Sequence, residues 1–175
     1  LIRTGVYASE ADELGRLATG RRVLEFGTWY GFSAVTMART ATSVTTVDWH
    51  HGDQHAGHED TLAGFMRNIA EAGVADRITT IVERFERVVP MLARDYFEVG
   101  FLDGLHDRTS VERDLELITS LLDRPGCVLA CHDWNRSLGD VRFEVDDAVV
   151  AFGQRHPEWV HSHTVESLYV MERRA

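Results

Sequence analysis

The stretch Val23–Ala38, VLEFGTWYGFSAVTMA, decides the fold. Apolar residues run into Glu25 and Gly27, then come Gly31 and Ser33, and then an apolar-periodic segment. A short apolar run closed by glycine and continued at helical period reads as a buried strand, a tight turn and the start of a helix. A phosphate-binding loop needs a Lys-Ser/Thr pair after its glycines, and none is present. A dinucleotide fingerprint needs G-x-G-x-x-G, and only Gly27 and Gly31 are available here. Glu25 sits at the carboxyl end of the strand, facing the crevice where α/β sheets take ligands. A carboxylate there repels a pyrophosphate and suits a positive group.

Outward from this stretch, short apolar runs alternate with helical patterns. Strands are predicted at Arg22–Phe26, Val44–Asp48, Ile78–Val82, Phe97–Leu102 and Cys127–Cys131. Helices are predicted at Gly31–Thr40, Asp60–Ala72, Glu86–Ala93, Val111–Leu122 and Val141–Arg155. The last carries a stripe of Val141, Val145, Ala148, Val149 and Phe152. An earlier helix is predicted at Ser9–Ala18, with Ser9 as its cap and Glu10, Asp12 and Glu13 as an acidic first turn. His161–Val165 and Leu168–Met171 read as a closing hairpin. Strand–helix alternation implies a parallel sheet covered on both faces. At 175 residues and with no repeat or linker, residues 1–175 read as one α/β domain, a helical segment 1–20 preceding the core 21–175.

Composition narrows the function. The chain is 44% hydrophobic and 26% charged, a globular balance. Its net charge is -10 with no basic block, which argues against a nucleic-acid partner. No apolar run is long enough to span a bilayer, so no membrane partner is expected. The two cysteines, Cys127 and Cys131, fall on one face of one strand, roughly 13 Å apart at strand rise. That is too far for a disulfide and fits a reducing, cytoplasmic setting. Leu1 is no natural start, so upstream residues are expected and a lost signal peptide stays open.

Asp48 ends the second strand, about where an acid grips ribose hydroxyls. The site therefore asks for a ribose and a cation without phosphates. S-adenosylmethionine carries a ribose, an adenine, a sulfonium and an α-ammonium. E-F-G-T-W-Y-G-F-S followed by V-T-T-V-D-W resembles the first two motifs of class I S-adenosylmethionine-dependent methyltransferases. The resemblance covers nearly the whole chain. It implies a Rossmann-like domain with a mostly parallel seven-stranded sheet, helices on both faces and an antiparallel last strand. It also implies that Glu25, Gly27, Thr28, Trp29, Tyr30, Gly31, Ser33, Asp48, Trp49, Phe85 and Asp103 form the cofactor site. In it Gly27 and Gly31 let the ligand approach the backbone, and Ser33 bonds the methionine carboxylate. Asp48 accepts from the ribose, Trp49 packs on adenine, and Trp29 or Tyr30 shields the methionyl part. V-E-R-F-E-R-V-V-P-M-L resembles the adenine-side motif, with Arg84 and Phe85 where relatives usually carry Gly and Ser.

Two later segments carry the chemistry. V-G-F-L-D-G-L-H-D-R places Asp103 at a strand end and His106 just beyond; C-V-L-A-C-H-D-W-N places His132 and Asp133 at the next. Adjacent strands lie about 4.8 Å apart, so these groups can converge as a divalent-metal site. D-G-x-H with Val111, Asp114 and Leu115 resembles the metal-dependent small-molecule O-methyltransferases, of the catechol type and the natural-product sugar type. The resemblance puts metal ligands at Asp103, His132 and Asp133 and a catalytic base at His106. Relatives commonly have acidic or amide residues at position 132. An all-oxygen site suits Mg²⁺, whereas an imidazole better tolerates Mn²⁺, Fe²⁺ or Zn²⁺; either the site takes a softer metal, or His132 supports the ligands without being one, or no metal binds. The expected reaction is O-methylation of a small-molecule hydroxyl, with the selective segments near 1–20, His50–Glu59 and Asn135–Asp140. The alternatives are metal-free transfer, a hydroxylating relative and a cofactor-binding module without catalysis. A homo-oligomer is open.

Other features carry less. HHGDQHAGH, residues 50–58, has histidines without cysteine and reads as a loop beside the adenine pocket, with His50 near the cofactor. His161 and His163 read as one exposed strand face, and Arg108, Arg113 and Arg124 as solvated helix surface. A serine-hydrolase elbow, G-x-S-x-G, is absent.

Overall fold

The computed structural model describes residues 1–52 and 57–175. Strands β1 (Arg22–Phe26), β2 (Ser43–Asp48), β3 (Ile78–Val82), β4 (Val99–Leu102) and β5 (Val128–Cys131) are followed by β8 (Trp159–Val165) and β9 (Leu168–Arg173). They form one seven-stranded sheet in the order β3-β2-β1-β4-β5-β9-β8. The first five are parallel, and β9 enters antiparallel between β5 and β8. The predicted strands fall within a residue or two of these, and the predicted single α/β domain with its antiparallel last strand is the fold observed.

Alternate strand residues feed two cores. Leu24 and Phe26 face a cluster built with α5 (Arg108–Thr119) and α6 (Val145–Arg155). Val23 and Val44 face another built with α1 (Ala8–Ala18), α2 (Phe32–Ala38) and α3 (Leu62–Glu71). Period-2 alternation on strands and helical stripes on both sides give this three-layer arrangement. A short helix α4 (Phe85–Val88) and a 3-10 turn, Val89–Met91, replace the longer helix predicted at Glu86–Ala93. Pro90 inside that segment cannot donate the backbone hydrogen bond that a continued α-helix needs.

Register positions the site. Phe26 pairs with Val47 on one side and Leu102 on the other, and Leu102 pairs with Cys131. The next residues, Gly27, Asp48, Asp103 and His132, therefore leave the sheet in one row. Backbone bonds extend the ladder to them: Gly27 N–H donates to Val47 O, Asp103 N–H to Phe26 O, and His132 N–H to Leu102 O, at 2.9–3.0 Å.

Two predicted helix starts are corrected. Tyr7, not Ser9, precedes α1, and Glu10 turns inward, fully buried, its Oε2 accepting the Tyr7 N–H at 2.8 Å. The helix predicted from Val141 begins at Val145. Val141–Arg142 (β7) instead pairs with Ser137–Leu138 (β6) across Gly139–Asp140, with Gly139 at φ +58°. A two-residue loop with a left-handed glycine favours a hairpin over a helix turn. Val141 is 54% exposed, outside the core stripe. Among the described residues no helix is long and apolar enough to cross a membrane.

Candidate active site

A cavity of about 900 Å³ opens over that row of strand ends. At one end the glycine turn is organised by Asp48. Its Oδ2 accepts the Thr28 and Trp29 N–H groups at 2.7 and 2.8 Å, and its Oδ1 accepts the His50 N–H at 2.7 Å. A carboxylate has about four lone-pair sites, so Asp48 can hold the turn and still accept from a ribose. Trp49, 39% exposed, borders the cavity, with the Arg84 guanidinium 4.9 Å from its ring centre. Phe85 also lines it and stacks on Phe26 at 4.3 Å. An acid beside two aromatic faces suits an adenosine.

The protein's own packing also constrains the two glycines. A Cβ on Gly27 would lie 1.9 Å from the Asp103 carbonyl oxygen, and one on Gly31 would lie 2.6 Å from the Phe65 ring. Both have positive φ, +81° and +85°. The protein's own packing by itself requires glycine at both positions. Gly27, Thr28, Trp29 and Ser33 line the cavity; Gly31 and Tyr30 do not. Tyr30 instead donates its hydroxyl to Glu59 at 2.6 Å. Glu25 is fully buried beneath the turn and does not line the cavity, which corrects its reading as a group facing the crevice. Ser33 Oγ donates to Glu25 Oε1 at 2.5 Å, and Oε2 has no partner. Burial, together with the charges of Asp103 and Asp48, pushes the Glu25 carboxyl up to about 8 against the Ser33 hydrogen bond.

At the other end acids and imidazoles meet. His106 Nε2 lies 2.8 Å from Asp133 Oδ2, and its ring stacks on Phe143 at 4.1 Å. Asp133, at φ +62°, also has Arg136 Nη1 at 2.8 Å from Oδ1. His132 is buried. Its Nε2 faces Glu10 Oε2 at 3.1 Å; its Nδ1 faces Asp103 Oδ1 and Asp133 Oδ1, each at 3.4 Å. Burial alone would lower the His132 pKa, but the surrounding carboxylates push it up to about 12. Burial likewise opposes charge on Asp133 and Glu10. The His106 hydrogen bond and the neighbouring His132 ring hold Asp133 well below the usual range, and hydrogen bonds from His132, Ser167 and Tyr7 hold Glu10 at about 2.

The donor set fits the divalent metal that the resemblance implies. Among the described residues His132 Nδ1 is buried without a well-aligned hydrogen bond and stands 3.4 Å from a carboxylate oxygen of both Asp103 and Asp133, as a ligand nitrogen would. A proton and a metal ion compete for that atom. Among the described residues, the group whose ligand atoms all lie within 4.8 Å of one another is Asp103, His106 and Asp133, with His106 where the resemblance puts His132.

Several expected placements differ. His50 is buried, its Nδ1 2.9 Å from Thr61 Oγ1, and does not line the cavity, while His51 and His58 do. Residues 53–56 of the same segment, with His55, lie outside the described residues. His163 Nε2 bonds Glu13 at 2.6 Å, and a register shift between His161 and His163 breaks the expected shared exposed face. Arg113 is not plain surface: it pairs with the buried Asp114 at 2.9 Å and lines the cavity. Burial pushes Asp114 up to about 6 despite Arg113, and its Oδ2 has no partner. Sequence reasoning missed Glu10, although it stands on the stripe of Leu14, Leu17 and Ala18, a charge on an apolar face.

A strand-end cavity with an acid-anchored glycine turn on this sheet order defines a class I methyltransferase. Residues 24–134 match the family described as methyltransferase domain, and the chain belongs to that family. It is an S-adenosylmethionine-dependent methyltransferase. The catechol O-methyltransferase of Mycobacterium tuberculosis (strain ATCC 25618 / H37Rv) is 29% identical over 181 residues, covering 93% of this chain and 77% of that protein. Cofactor-bound Rv0187 from MTB superposes with a TM-score of 0.76 at 25% identity, over 99% of this chain and 84% of that one. The O-methyltransferase TomG from Streptomyces achromogenes, involved in tomaymycin synthesis and solved in complex with SAM, has a TM-score of 0.69. It is 20% identical, over 98% and 82% of the two chains, and supports the fold.

Proposed function

We propose that this protein transfers the methyl group of S-adenosylmethionine to a hydroxyl of a small organic acceptor. The observation that carries the reading is the convergence of Asp103, His106, His132 and Asp133 in the same cavity as the Asp48-anchored turn. Asp48, Trp49 and Phe85 receive the adenosine, and Thr28, Trp29 and Ser33 stand at the methionyl end. Arg3, Arg136 and the β6 residues Ser137 and Leu138 bound the acceptor side: Arg3 lies over Trp29 at 4.6 Å, and Arg136 binds Gly5 O and lies over Tyr7 at 5.2 Å.

Methyl transfer from a sulfonium is an in-line displacement, so the acceptor oxygen must be aligned and partly deprotonated. An acceptor hydroxyl approaching His106 hands its proton to the imidazole, whose Nε2–H is given to Asp133 Oδ2. Asp133 Oδ2, 2.8 Å away, stabilises the resulting imidazolium. Asp103, His132 and Asp133 would hold a divalent cation, which when bound supplies a lowered hydroxyl pKa. The imidazole donor favours Mn²⁺, Fe²⁺ or Zn²⁺ over Mg²⁺. One observation favours metal-free transfer as a second reading: Arg136 and His106 already give both Asp133 oxygens hydrogen-bond partners. Activity that survives stringent chelation selects that second reading.

The test combines calorimetry with S-adenosylmethionine and product mass over a panel of catechols and glycosides. A gain of one methyl supports the reading. A gain of one oxygen, or binding without any turnover, overturns it. His106→Ala is expected to slow transfer by about 10²- to 10⁴-fold with cofactor affinity unchanged. Near-normal turnover would remove the base from His106.

A further inference from the structure

Glu10 lies on α1, 122 residues before His132 in sequence, and is 0% exposed. A buried carboxylate is costly unless its oxygens are satisfied. Here both are. Oε1 accepts the Ser167 N–H at 2.8 Å and the Ser167 hydroxyl at 2.7 Å; Oε2 accepts the Tyr7 N–H at 2.8 Å and faces His132 Nε2 at 3.1 Å. The carboxylate is thus fixed from the start of its own helix and from the turn between β8 and β9.

A carboxylate has no hydrogen to give, so the hydrogen of the Glu10–His132 bond belongs to Nε2. When a cation displaces the ring proton that the surrounding carboxylates favour, Nδ1 is the atom able to offer a lone pair. Among the described residues Nδ1 is buried, without a well-aligned hydrogen bond, and aimed between Asp103 and Asp133. Metal-bound histidines nearly always give their other N–H to such an acceptor, which sets the tautomer and the ring orientation.

We propose that Glu10 is a positioning residue that holds the His132 imidazole with Nδ1 turned toward Asp103 and Asp133, and so builds a histidine-bearing cation site. The inference rests on the metal-assisted form of the proposed function. It places the first helix in the construction of the site, although Glu10 does not itself line the cavity. Ser167 anchors Glu10 without touching His132 and separates docking of α1 from tuning of the ring.

The test titrates the whole protein with Mn²⁺ by calorimetry and with Co²⁺ by visible absorption, without acceptor or cofactor. The wild type is expected to bind one equivalent, with a Co²⁺ spectrum showing nitrogen ligation. Glu10→Gln is expected to weaken both metals by about 10- to 100-fold and to shift the Co²⁺ bands. Ser167→Ala is expected to lower Tm while leaving metal affinity within about threefold, well below that loss. Equal metal affinity in Glu10→Gln and wild type, or a loss in Ser167→Ala matching that in Glu10→Gln, overturns the assignment. A wild type that binds neither metal also overturns it, yet leaves methyl transfer standing. Metal binding without methyl transfer fails the proposed function alone.

Discussion

Glu25 and Asp48 were read from sequence as a matched pair of ligand-facing acids, and the fold gives them unlike environments. Asp48 is level with Gly27 at the strand ends and accepts three backbone amides. Glu25 lies one step inside the strand, where burial raises its pKa to about 8 from an ordinary value of 4.5. A raised folded-state pKa means that the stability contributed by the neutral carboxyl is full below about pH 4.5 and is lost as pH rises toward 8. Glu25→Gln cannot titrate. The stability difference, variant minus wild type, is therefore expected to grow over that window and level off above it. Urea midpoints of the ligand-free pair across pH check this; a constant difference would show that Glu25 titrates as an exposed carboxylate. Strand-end acids are legible because a short apolar run announces the strand. Whether such an acid is one residue inside or outside the rim depends on register with neighbours, which local sequence does not carry. The Glu10–His132 contact was illegible for a related reason: nothing nearby in the chain reports a partner so distant.

The glycine turn falls where the spacing puts it, and packing gives a reason for its glycines that the spacing does not carry. Its spacing pointed to a ligand, while the closest atoms at Gly27 and Gly31 are the Asp103 carbonyl and the Phe65 ring. Gly27→Ala therefore tests packing directly. The left-handed backbone costs an alanine about 1–2 kcal/mol, and the collision with the Asp103 carbonyl adds to it. A lower urea midpoint with unchanged m-value is expected before any ligand is added. A variant as stable as wild type that has lost only cofactor affinity would favour the ligand-approach reading. Helix interiors were readable from their stripes, and helix starts were not. Ser9 has good capping chemistry, yet α1 starts earlier because Glu10 is drawn into the core by His132 and Ser167. Val141 fits the α6 period, but Gly139–Asp140 closes a hairpin first. In both cases a contact outside the local window decides the boundary.

Strand–helix alternation was enough to give the sheet, because parallel neighbours need crossovers and the helices supply them. The antiparallel course of the last strand came from the family resemblance, and its place between β5 and β8 from the structure alone, since the apolar pattern says nothing of strand order. Cys127 and Cys131 are free and buried in the core beneath α5 and α6. Burial raises both thiols, Cys131 to about 12, so neither offers a thiolate at neutral pH. Alkylation followed by mass is expected to leave both unmodified in the native protein and to label both in denaturant. Rapid labelling of either in the native protein would mean that this core opens locally. The antiparallel course of β9 has a practical result. Glu172 pairs with Val128, where β5 begins, and Arg173 O accepts the Gly126 N–H, so the carboxyl-terminal residues emerge at the rim opposite the cavity. A surface tether or fluorophore fused after Ala175 would stand off the far pole and leave the entrance clear. The same attachment ahead of Arg3, which lines the mouth, would crowd the traffic of reactants.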